Sequence, residues 1–126
     1  ASGGYYLSDA FIVVDSLTDW RIAQAVEAAG GIALAWNANW YVLPYCSCGI
    51  ATVDARGIRP LFKAWREGGR AAVRKFVESA PTPEDLESGP YYHWLAGKSE
   101  PFQRAILEIH QKLRKTCRGA KVAKLG

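Results

Sequence analysis

The sequence predicts an α+β domain: a small antiparallel β-sheet packed against two to four helices, in the order β-α-β-β-(β)-α-α. Short β-branched and aromatic runs bounded by turn residues occupy the first half, while amphipathic spacings with glycine or proline stops dominate the second. The composition, 49% hydrophobic and 22% charged with 5 Trp, 6 Tyr and 4 Phe, is that of a chain with a packed core. A chain of 126 residues can bury roughly two thirds of its unfolded surface without disulfides or metal. No repeat or linker divides it. A single domain over residues 1–126 is expected, with a loose basic tail at about 119–126.

Phe11-Ile-Val-Val14, bounded by Asp9 and Asp15, reads as a short buried strand. Ser16 with Asp19 resembles a capping box, and Trp20, Ala23, Val26 and Glu27 follow in helical rhythm to a stop at Gly30-Gly31. Ile32, Leu34 and Trp36 then alternate with Ala33 and Ala35, and Trp40 to Leu43 resumes the strand character. A hairpin turning at Asn37-Ala-Asn39 is expected, since asparagine tolerates left-handed backbone. The same pattern assigns Trp36 and Trp40 to the core. Ile50 to Val53 is a further strand candidate.

Residues 60–79 form a helix that Gly68-Gly69 either kinks or divides, with Phe62, Trp65, Ala72, Val73 and Phe76 on one side. Ala80-Pro-Thr-Pro83 and Gly89-Pro90 break the chain, with a brief turn expected over 84–87. The last helix starts near Ser99 and ends about Cys117, before Gly119; Phe102, Ile106, Ile109, Leu113 and Cys117 make its apolar stripe.

Charge is unevenly distributed. Residues 1–55 carry five carboxylates against Arg21 alone, whereas the remainder carries 15 Lys and Arg against 7 Asp and Glu. Within the basic half, Arg59, Lys63, Arg66, Arg70 and Arg74 fall within about 80° of arc on a continuous helix. Such a ridge places a cation at every turn, which suits successive phosphates or an acidic protein surface, and Lys112, Lys115 and Arg118 would extend the field. A solvated helix face with no partner has the same appearance. Tyr91, Tyr92 and Trp94, read as a surface loop between aperiodic flanks, are candidates to stack on bases or anchor a partner, and Tyr5-Tyr6 forms another aromatic doublet.

Chemistry is sparsely signalled. No dinucleotide or phosphate glycine loop, HExxH motif, GxSxG elbow or EF-hand loop is present. Cys46-Ser-Cys48 lacks the spacing and second pair of a zinc knuckle, and His110 and Cys117 stand about 10 Å apart along one helix, so no metal or cofactor is expected. A nucleophile at Cys46 or Cys48 with His93 or His110 as base is the enzymatic alternative, though neither cysteine opens a helix. Reduced thiols, no apolar run near the ~20 residues of a membrane span, and no basic start to residues 1–6 point to the cytoplasm. The expected function is non-enzymatic binding of nucleic acid, or of a protein complex that handles it, as in a phage- or plasmid-encoded regulator or inhibitor. A structural subunit of a larger assembly is a further alternative.

Overall fold

A computed structural model describes residues 9–15, 19–53, 55–84 and 89–125, with the side chains of 114 and 116–125 outside that description. Its elements are β1 (Phe11–Val14), α1 (Trp20–Ala28), β2 (Ile32–Trp36), β3 (Cys48–Ala51), α2 (Ile58–Ser79), β4 (Tyr91–Trp94) and α3 (Glu100–Leu125), with 3-10 turns at Leu43–Tyr45 and Ala55–Gly57. The fold is α+β, as the sequence predicts. The sheet, however, is mixed: its order is β1-β2-β3-β4, with β1/β2 and β2/β3 parallel and β3/β4 antiparallel.

The expected hairpin is what this arrangement replaces. Asn37 does adopt the left-handed backbone, at φ 44°, but it ends β2 without reversing it into a partner strand. Its side-chain amide pairs with Thr52 instead, accepting from Thr52 N at 3.0 Å and donating to Thr52 O at 2.7 Å. The carbonyl of Asn39 accepts from the amides of Val42 and Leu43, and its side chain accepts from Tyr41 N, closing 39–43 into turns that Pro44 extends. The chain thereby crosses back over the sheet and β3 enters parallel to β2. The continuous burial of Ile32–Ala35 and Cys48–Ala51 is the mark of strands covered on both faces.

Because strand side chains alternate, the sheet divides the core in two. On one face Ile32, Leu34, Cys48, Ile50 and Trp94 pack with Leu61, Val73 and Val77 of α2. On the other, Val14, Ala33 and Ala35 pack with Ala23 of α1, with Val42 and Leu43, and with Ile106 of α3. Each fully buried aliphatic side chain contributes about 1.5–3 kcal/mol relative to exposure. Trp36 is half-buried, while Trp40 is 56% exposed because the turn that replaces its strand faces water.

Helix limits follow local chemistry. Asp19 caps α1 by accepting from Arg21 N at 2.9 Å; Ser16, the other half of the expected capping box, lies outside the described residues. Gly69 has φ 69° and ψ −155°, so α2 is one kinked helix. Ala80 adopts extended backbone ahead of Pro81 and ends it. The turn expected over 84–87 falls mostly on residues outside the description. The α3 backbone continues through Gly119 to Leu125, past the predicted stop: a glycine weakens a helix by roughly 1 kcal/mol without forbidding it. Among the described residues no helix is long and apolar enough to cross a membrane.

Candidate functional site

The first segment of α2, up to the kink, is seated by contacts beneath it. Tyr92 Oη donates to Gly57 O at 2.6 Å just before the helix, and Leu61 is fully buried. Phe11 meets the Phe62 ring edge-on, centroids 5.7 Å apart at 64°, and lies 6.3 Å from Trp65. Beside these contacts lies a groove of about 710 Å³ lined by Ala55, Ile58, Arg59, Phe62, Lys63, Arg66 and Glu67. Arg59, Lys63 and Arg66 are exposed and hold no carboxylate among the described residues.

Beyond Gly69 the same sequence rhythm serves a different purpose. The Arg70 guanidinium reaches Glu27 at 2.9 Å, the Gly31 carbonyl at 3.0 Å and Ser47 Oγ at 3.2 Å, and lies 5.2 Å from the Trp94 ring centroid. Glu27 is saturated in turn: its other oxygen accepts from the amides of Ala33 and Ser47 and from the Ser47 hydroxyl. This cluster ties α1, the β2 entrance, the β3 entrance and α2 together. Arg74 pairs with Glu78 at 2.8 Å and lies 5.5 Å from the Trp94 centroid. The predicted ridge is therefore two groups of cations, one unpaired on a groove and one engaged with the protein itself.

The remaining predicted residues are dispersed. Tyr91, Tyr92 and Trp94 belong to the strand β4 and not to the surface loop expected from sequence; Trp94 is buried and the two tyrosines are half-buried. Flanking glycines and the brevity of the run hid its alternation. Lys112 and Lys115 are exposed on α3, which packs on the face of the sheet opposite α2, so they do not lengthen the groove. The Arg118 side chain and the Tyr5-Tyr6 doublet lie outside the described residues.

The histidines form a buried pair. His93 Nε2 and His110 Nε2 are 2.7 Å apart, and Ala38 N donates to His110 Nδ1 at 2.8 Å. A neutral His110 then carries its proton on Nε2 and donates to His93, whose own proton falls on Nδ1, a buried nitrogen with no partner among the described residues. Burial, with His110 adjacent, holds the His93 pKa well below the ordinary histidine value. Gly49 makes room, since a Cβ there would stand 2.4 Å from His93 Nε2. His110 lies four residues after Ile106 and three before Leu113 on the apolar stripe, which is the signal that could have placed it in the core.

Cys46 and Cys48 are both buried, and the Cys117 side chain lies outside the described residues. Cys46 donates to Val42 O, and burial pushes the thiols of Cys46 and Cys48 up, keeping them protonated rather than nucleophilic at neutral pH. They belong to opposite faces of the sheet, Cys46 with Val42 and Cys48 with Leu34. Among the described residues no three His, Cys, Asp or Glu side chains converge as metal ligands.

No protein-family model matches this chain, and no curated protein matches it. Its fold is similar to that of gene product AF1437 from Archaeoglobus fulgidus, with a TM-score of 0.69 and 21% identity over 85% of this chain. The match spans 31% of the archaeal protein. That likeness extends to the fold alone.

Proposed function

We propose that this domain is a non-enzymatic, cytoplasmic binding protein that holds nucleic acid on the first segment of α2. The observation that carries the reading is that three cations without a carboxylate partner among the described residues share one groove. Elsewhere Arg21, Arg70, Arg74 and Arg104 each hold a carboxylate, so the described arginines are not indiscriminately free. Unpaired cations in a row are repulsive, and a polyanion relieves that repulsion while releasing its own counterions. The protonated, buried thiols of Cys46 and Cys48 support binding over cysteine chemistry.

The test is affinity for fluorescein-labelled oligonucleotides measured by anisotropy across a salt series. Three phosphate contacts give a slope of log K against log salt of about −2 to −3. Replacing Lys63 and Arg66 together by Ala removes two of the three contacts and should cut that slope by more than half. A flat salt response, or a double variant that binds like the parent, rejects the proposal.

A further inference from the structure

The groove pairs a cationic rim with an aromatic surface. Phe62 is 46% exposed between Arg59, Lys63 and Arg66, yet its ring is buttressed by Phe11 at 5.7 Å, and Phe11 in turn lies 6.3 Å from Trp65 of the same helix as Phe62. An exposed phenyl ring held in one orientation loses little freedom when something flat is laid on it. The Arg66 guanidinium already lies over this ring, 5.9 Å from its centroid, so the face accepts a planar, delocalised group, and a base takes that face by displacing the guanidinium towards the backbone phosphates.

Duplex and single strand would use these features differently. In a duplex the bases are sealed in their own stack, leaving phosphates for the cations and nothing for Phe62. In a single strand the bases are unpaired and each offers a π-face, which an aromatic side chain binds irrespective of sequence. The three cations span about 10 Å along the helix, from seven residues at 1.5 Å each, with Phe62 among them. One base can then rest on the ring while the backbone on either side of it passes the rim.

On the reading that this groove binds nucleic acid, we propose that its ligand is single-stranded and that Phe62 is the stacking platform for one base. The sequence preference is correspondingly weak, because every base offers a π-face to the ring.

The experiment compares a labelled single strand with the duplex of the same sequence, on the full chain and on Phe62→Ala, Phe62→Leu and Phe62→Trp. Phe62→Leu keeps apolar contact with Phe11 and removes the π-face, which guards against a loss caused by misfolding; circular dichroism checks each variant. The single strand should bind at least tenfold more tightly than the duplex. Phe62→Ala should weaken single-strand binding by about 5- to 150-fold, the range for one stacked base. Phe62→Leu should weaken it too, Phe62→Trp should retain it, and none should change the salt slope. Equal affinity for duplex and single strand, or full single-strand binding by Phe62→Leu, overturns this inference while leaving the proposed function standing. Failure to bind either form overturns both.

Discussion

The two segments of α2 carry the same residue pattern on either side of one glycine, and they do opposite things with it. Arg59, Lys63 and Arg66 line an open groove without carboxylate partners among the described residues, whereas Arg70 and Arg74 are spent on Glu27, Ser47, Trp94 and Glu78. The difference arises from the kink at Gly69, and from where the second segment lands: beside the entrances of β2 and β3, where Glu27 collects the amides that the turns leave unpaired. Cation spacing alone therefore does not define a binding face. What a cation faces decides whether it is structural or available.

The comparison breaks most visibly at Glu27. Glu27→Ala strands the Arg70 charge, the Ser47 hydroxyl and two backbone amides, and should destabilise the fold by about 3 kcal/mol. That is the low end for breaking a buried pair, because Arg70 is a third exposed and partly screened by water. Urea denaturation should show it, while Lys63→Ala and Arg66→Ala on the open segment stay within about 0.5 kcal/mol of the parent.

Gly69→Ala should follow, at about 1–3 kcal/mol. No atom within 4 Å would meet the added Cβ, so the whole effect is backbone strain in a region only glycine occupies comfortably. If the same variant also lost oligonucleotide affinity, the kink would be shown to orient the open segment as well as the anchored one.

A smaller effect is expected from acid. His93 is held neutral in the folded protein, so in the unfolded state it binds a proton more readily, and stability falls as pH drops below the ordinary histidine value of about 6.5. The slope is about 1.4 kcal/mol per pH unit for the one proton, continuing down to the depressed folded value. Denaturation midpoints at neutral and mildly acidic pH measure it, and His93→Gln should flatten the dependence. On the anchored segment the smallest change should come from Arg74→Ala, whose exposed pair with Glu78 and contact with Trp94 contribute about 1 kcal/mol or less.

Much of this was legible before any coordinates. The strand at Phe11, the helix from Trp20, an interruption at Gly68-Gly69 and the start of the last helix all follow from periodicity and turn residues, while the choice of a kink over two helices does not. Strand direction was not legible: Asn37 and Asn39 are hairpin residues by propensity, and only the amide clamp onto Thr52 and the turns over 39–43 show that they lead into a crossing. The Tyr91–Trp94 strand was hidden because four residues between glycines carry too little alternation to read. The ridge was visible as a pattern, but its division depended on Glu27, a lone acid at the end of a helix with nothing in its spacing to announce Arg70 as a partner 43 residues away.

The most direct test of the division is a two-dimensional amide and side-chain NMR titration of the labelled protein with a short single-stranded oligonucleotide. Shifts should be confined to residues 55–67, with the Phe62 ring and the Arg66 side chain moving most. Resonances of Arg70, Arg74 and Trp94 on the anchored segment, and of Lys112 and Lys115 across the sheet, should hold still. Shifts centred on Arg74 and Trp94 or on α3, with residues 59–66 unmoved, would contradict it.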